Sequence, residues 1–149
     1  MNTAPLVHQL ASALTARSAL FDTRHEAAFR LFNGFLEGYP GLVVDLYART
    51  LVIYNYADPP EDLQAACLIA QQYLRPHFPW LQAIVLKTRH ALTTQAQQGI
   101  VLEGTTVARR VREQGVWYAV DLQLHIACPR PEMLLSACEG TIENRGLLF

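Results

Sequence analysis

Cysteine pairs, histidine clusters, long apolar runs and a surplus of either charge are all missing from this sequence, and each lack removes a class of function. Three cysteines, Cys67, Cys128 and Cys138, form no CxxC pair and leave an odd count, for which a reduced, cytosolic setting is the simpler reading. Five histidines stand singly at His8, His25, His77, His90 and His125, without the spacing of a zinc site. No basic-then-apolar segment opens the chain, and no apolar run approaches the ~18 to 20 residues that span a bilayer. A soluble, cytoplasmic protein without a membrane partner is expected. Lys and Arg number 12 against 13 Asp and Glu, a net charge of −1, which argues against a strongly basic nucleic-acid binder but allows a local patch.

Of the 149 residues, 51% are hydrophobic and 17% charged, the balance of an ordinary globular chain able to bury a core. The stretch from Phe29 to Tyr56 is the densest in signals. Asn33-Gly34 and Tyr39-Pro40-Gly41 are turn punctuation, since Gly accepts positive φ and Pro presets the second position of a turn. Between and beyond them lie β-branched and aromatic runs, Leu42 to Tyr47 and Leu51 to Tyr56, that read as a mostly buried hairpin. Alternation puts Val43, Asp45 and Tyr47 on one face and Leu42, Val44 and Leu46 on the other. An ionised carboxylate in so apolar a strand must reach solvent or meet a donor. Arg30, the substrate-facing side of the sheet and an exposed edge position are the alternatives for Asp45.

The string R-L-F-N-G-x-x-x-G-x-P-G-L-V-V-D-x-Y, from Arg30 to Tyr47, resembles the segment that precedes the catalytic domain in bacterial class I S-adenosylmethionine-dependent methyltransferases. The best-known members of that family methylate cytosine-5 of large-subunit ribosomal RNA. A second match is Glu113 to Leu122, which in the family leads into the methyl-transfer domain. Together the two cover about two thirds of the chain. The resemblance implies RNA as partner and S-adenosylmethionine as the cofactor of the full-length family. On this chain it makes Arg30, Asp45, Lys87, Arg89, Arg110 and Arg112 the candidate RNA or substrate contacts.

Taken in order, Leu6, Leu10, Leu14 and Phe21 mark an amphipathic helix within Pro5 to Phe21. Thr23 with Glu26 fits a capping box for a short turn of helix from Arg24 to Ala28. Arg17, Arg24, His25 and Arg30 form either a basic face towards RNA or, the favoured reading, a solvated surface. A first strand is expected from Ala28 to Phe32. The glycine-bearing loop from Asn33 to Gly41 is followed by a strand instead of a helix, so tight turns are favoured over a phosphate cradle. Leu63, Ala66, Cys67, Ala70, Tyr73 and Leu74 form the apolar stripe of a helix from Glu61 to Leu74, with Cys67 a small core residue. Leu81 to Leu86 reads as a strand that Lys87, Thr88, Arg89 and His90 follow, and Thr93 to Gln98 as a mobile loop. A hairpin from Val107 to Leu122 turns at Gln114-Gly115. It sends Arg110 and Arg112 to one face and Arg109 to the other, where phosphates or the carboxylates of Glu103 and Glu113 are equal candidates.

The whole predicts an α+β fold: a mixed sheet of about five strands with two helices, strand order open. The expected division is an N-terminal helical segment over 1–27, an α+β substrate-side domain over 28–125 and an atypical tail over 126–149. That tail has no strand followed by GxGxxG, and Cys128-Pro129 lacks the base and pocket a nucleophile needs. No catalytic, cofactor or metal residue is therefore assigned, and no S-adenosylmethionine is expected to bind this chain. A fragment, or a product whose reading frame changed near His125, is one expectation. A free-standing α+β protein-interaction module is the other. Where relatives carry a Gly-Asp turn after the tyrosine, Ala48-Arg49 stands here.

Overall fold

The computed structural model describes residues 4–123; His125, Cys128, Cys138 and the tail expected over 126–149 lie outside them. The chain begins with helix α1 (Ala4–Ala16), then strand β1 (Ala28–Asn33), a single turn of helix α2 (Gly34–Glu37), strand β2 (Leu42–Tyr47) and strand β3 (Thr50–Asn55). Helix α3 (Gln64–Leu74) leads to β4 (Ala83–Thr88), a short helix α4 (Thr94–Gln98), β5 (Ile100–Gly104), β6 (Arg110–Glu113) and β7 (Val116–Ala119). Strands β1 to β5 form one sheet in sequence order, and β6 and β7 a separate two-stranded ribbon. All neighbours in the large sheet are antiparallel except β3 and β4, which α3 connects in parallel. The fold is α+β with a mixed five-stranded sheet.

Turn chemistry explains the central hairpin. Leu42 donates its backbone N–H to the Tyr39 carbonyl at 3.3 Å, and Gly41 has φ +95°. Pro40 and Gly41 thus fill the two central positions that such a turn asks of them. Gly34 is required for closeness: a Cβ there would stand 1.9 Å from the Tyr39 carbonyl oxygen. Ala48 adopts φ +54°.

Each sheet face has its own core. On one, Phe29, Phe32, Val44, Leu46, Leu51, Ile53 and Ile84 pack with Leu6, Leu10 and Ala13 of α1 and Ala66, Cys67, Ala70 and Leu74 of α3. On the other, Val43, Tyr47, Val52, Tyr54 and Val85 meet Val111, Val120 and Leu122 of the ribbon and its flank. The alternation read along Leu42 to Tyr47 is therefore real, with both faces covered, and burial of these apolar side chains drives assembly.

Several expectations are corrected. The hairpin expected over 107–122 is the shorter ribbon Arg110–Ala119, separate from the large sheet. The sheet's fifth strand is Ile100–Gly104, which was not expected because its more exposed positions carry the apolar Ile100 and Leu102. Asp22, not Thr23, caps the turn before β1, accepting from the N–H groups of Glu26 at 3.0 Å and Ala27 at 3.2 Å, and no helix follows. The span Thr93 to Gln98 is a helical turn whose N-cap, Thr93, accepts from Ala96 N–H at 3.2 Å. A turn of helix, α2, also occupies part of the Asn33 to Gly41 loop. Lys87 belongs to β4 and does not follow it.

Candidate functional site

Strand register carries Arg30, Asp45, Val52, Val85 and Val101 across the sheet as one row, and Asn33, Val43, Tyr54 and Lys87 as the next row on the same face. Within the first row the Arg30 guanidinium grips Asp45 with two hydrogen bonds, Nε to Oδ1 at 2.8 Å and the second from Nη2 to Oδ2 at 3.2 Å. The Tyr47 hydroxyl donates to Asp45 Oδ2 at 3.4 Å and lies 3.4 Å from that of Tyr54. Asp45 is completely buried and Arg30 nearly so. Burial pushes the Asp45 carboxyl above the usual carboxylate range, opposed by Arg30 and by the hydroxyls of Tyr47 and Tyr54. Burial also disfavours a charged Arg30, but the hydrogen bond and charge of Asp45 prevail and hold the guanidinium above its ordinary pKa. Both groups are engaged inside the protein, so this pair fixes how β1 meets β2.

The other sequence-predicted contacts separate. Lys87 is buried opposite Tyr54, on the same face as the Arg30–Asp45 pair but two register positions along the strands. Arg89 is exposed, tied to the sheet by its backbone N–H to the Asn55 carbonyl at 2.9 Å. The imagined basic face of Arg17, Arg24, His25 and Arg30 does not exist as a unit. Arg17 pairs with Glu37 at 2.8 Å, His25 stacks on Trp80 with ring centroids 3.9 Å apart, and Arg30 is buried.

Arg110 and Arg112 do come together, on the ribbon. Val111 between them is fully buried against the sheet, so the two arginines project outward. Across the turn, Trp117 pairs with Arg112. The Arg110 guanidinium carbon lies 4.2 Å from the indole centroid and that of Arg112 5.6 Å, the geometry of cation–π attraction. Gln114 at φ +51° and Gly115 at φ +79° make the turn, and two consecutive positive φ values suit the twist of a two-residue hairpin. The ribbon is anchored by Arg112 N–H to the Glu26 carbonyl and Ala108 N–H to Thr50 Oγ1, both 2.8 Å. Trp117 was missed as a site residue, although the turn at Gln114-Gly115 already sets it opposite Arg112.

Two clefts flank these features. One of about 530 Å³, between β5 and the ribbon, is lined by Thr105, Arg109, Asp121 and Gln123 among others. The second, about 480 Å³, is mainly apolar and runs beside α3 past Leu68, Leu86 and Leu102. Cys67 touches this second cleft, but burial pushes its thiol up to about 12, which makes it a poor nucleophile. Among the described residues no group of three His, Cys, Asp or Glu side chains is placed to hold a metal ion. None of their helices is long and apolar enough to cross a membrane. The parallel unit β3–α3–β4 carries Ala57-Asp58-Pro59-Pro60 where a dinucleotide or methyl-donor site of that type would place glycines, so residues 4–123 do not fit such a cofactor there.

No family model matches the chain, and no curated protein matches it. Solved structures do. One, described as "a putative sam-dependent methyltransferase from Streptococcus mutans", is 17% identical with a TM-score of 0.66, over 85% of this chain and 32% of its own. Another, SMU.776, described as "a putative methyltransferase complexed with SAH", is 17% identical with a TM-score of 0.61, over 79% of this chain and 29% of its own. The chain shares their fold and spans about a third of their length.

Proposed function

We propose that this α+β unit is the substrate-side part of an S-adenosylmethionine-dependent methyltransferase-like protein. It positions RNA for methylation, with large-subunit ribosomal RNA the substrate class that the sequence resemblance favours. The methyl donor is held by residues other than 4–123, and the unit alone is inactive. The observation that carries this reading is the coverage: most of this chain overlays on about a third of proteins described as methyltransferases. The Arg30-to-Tyr47 motif supports it, because its glycines, proline and aspartate all have structural work in the β1–β2 region of that shared fold.

Two titrations of the 149-residue chain test it. Fluorescence anisotropy with a labelled fragment of large-subunit ribosomal RNA is expected to give saturable binding that weakens as salt is raised. Calorimetry with S-adenosylmethionine is expected to give no saturable heat. Saturable uptake of the methyl donor, or no RNA binding even at low salt, overturns the reading.

A further inference from the structure

Two guanidinium groups on one strand face repel each other unless something offsets their charge. Arg110 and Arg112 converge on a single indole, and among the described residues neither makes an ion pair. The neighbouring carboxylate, Glu113, shares the strand parity of buried Val111 and so points the other way. Arg109 likewise leaves this face and lines the cleft behind the ribbon. Trp117, paired with Arg112 on this outer face, remains 42% exposed.

We propose that the outer face of the β6–β7 ribbon is a binding site for single-stranded RNA, in which Trp117 stacks a base and Arg110 and Arg112 clamp the adjoining phosphates. A guanidinium lying on an indole uses its flat face and leaves its in-plane N–H donors free, the geometry that bidentate phosphate contacts require. An exposed aromatic ring between such groups is the stacking platform of single-strand recognition. A carboxylate-rich peptide would satisfy the arginines but leave the indole without a flat partner, so RNA fits the surface better. The proposal rests on the substrate-side reading above and adds where on this chain the RNA is held.

The test uses the full chain carrying Trp80→Phe, which leaves Trp117 as the sole tryptophan. A 12-nucleotide single-stranded RNA is expected to quench its fluorescence, whereas heparin, a polyanion without bases, is expected to bind with little quenching. Trp117→Ala should weaken RNA binding by about 5- to 150-fold. Arg110→Ala and Arg112→Ala should each lower the salt slope of binding by about one, while Arg110→Lys with Arg112→Lys keeps the slope but loses affinity. Thermal unfolding checks that each variant remains folded. RNA affinity unchanged by Trp117→Ala, equal quenching by heparin, or tighter binding of poly-glutamate than of RNA overturns the proposal. If wild-type chain binds RNA but these variants bind equally well, this site fails while the substrate-side reading stands. If wild-type chain binds no RNA, both fail.

Discussion

Arg30 and Asp45 face each other across β1 and β2 with two hydrogen bonds of 2.8 and 3.2 Å, in a part of the sheet that water does not reach. Removing one member leaves the other charge buried without its partner, which costs about 3–5 kcal/mol. Replacing both with apolar side chains removes the desolvation penalty along with the attraction. Arg30→Met and Asp45→Leu are therefore each expected to destabilise by that amount, and the double variant by much less. Urea unfolding of the four proteins gives the coupling energy; additive losses would show that the pair is not a unit.

The same pair sets a pH dependence whose sign follows from the ionisation of Asp45. Its carboxyl is raised by burial and pulled back chiefly by Arg30, with the hydroxyls of Tyr47 and Tyr54 helping, so Arg30→Met removes the main opposing influence and the carboxyl rises further. A carboxyl whose folded pKa exceeds its unfolded value holds its proton more tightly when folded. Its contribution is fully present below the ordinary carboxylate range and is lost as pH rises towards the folded pKa. Arg30→Met should therefore lie closer to wild type near pH ~4 than near pH ~7, the gap widening by about 1.4 kcal/mol for each unit of additional pKa rise traversed. Urea midpoints at the two pH values measure this, and a gap that stays constant or narrows with pH contradicts it.

How much of this was legible depended on whether the partner lay within reach of a readable turn. Pro40-Gly41 punctuates two apolar runs, so the β2–β3 hairpin and the alternation around Asp45 followed from residues alone. Arg30 could be named only among the alternatives for Asp45, because one short loop separates their strands but nothing local fixes their register. The ribbon turn at Gln114-Gly115 was equally plain, and counting outward from it would have placed Trp117 beside Arg112. The Ile100–Gly104 strand was lost because the apolar Ile100 and Leu102 sit at its exposed positions, so the residues do not alternate as the burial does. The stack of His25 on Trp80 joins residues far apart in sequence, which no local pattern reports. Neither the basic face nor the favoured solvated surface describes Arg17 and Arg30, for a related reason: each charge was counted without its partner, and Glu37 and Asp45 take these two.

Glycine positions separate two kinds of constraint. At Gly34 a Cβ would collide with the carbonyl oxygens of Tyr39 and Leu42, at 1.9 and 2.5 Å, and backbone cannot step aside cheaply. At Gly115 φ is +79° but nothing lies within 4 Å, leaving only the left-handed backbone penalty of about 1–2 kcal/mol. Gly34→Ala is expected to cost about 3 kcal/mol or more, well beyond Gly115→Ala. Thermal unfolding should rank them in that order, at about 2–4 °C for each kcal/mol in a chain of this length. Equal shifts would mean that the Asn33 to Gly41 loop relaxes around the added methyl.

Cys67 offers a last measurement, because its thiol reports the integrity of the α3 packing. It is buried between α3 and the sheet, and burial lifts its pKa from the ordinary 9.0 to about 12. That shift leaves roughly a thousandfold less thiolate at pH ~8 than in the unfolded chain, and the thiolate is the reactive form. In a chain carrying Cys128→Ser and Cys138→Ser, a colourimetric thiol reagent is expected to label Cys67 only as denaturant unfolds the protein. The linkage also runs to alkaline pH: the unfolded thiol ionises above about pH 9 while the folded one does not, so stability should decline as pH climbs from there towards 12. Cys67→Ala abolishes that term at the cost of a small cavity, so its stability should fall less steeply over the same range. Rapid labelling of Cys67 in the native protein would mean that α3 lifts from the sheet far more often than its packing implies.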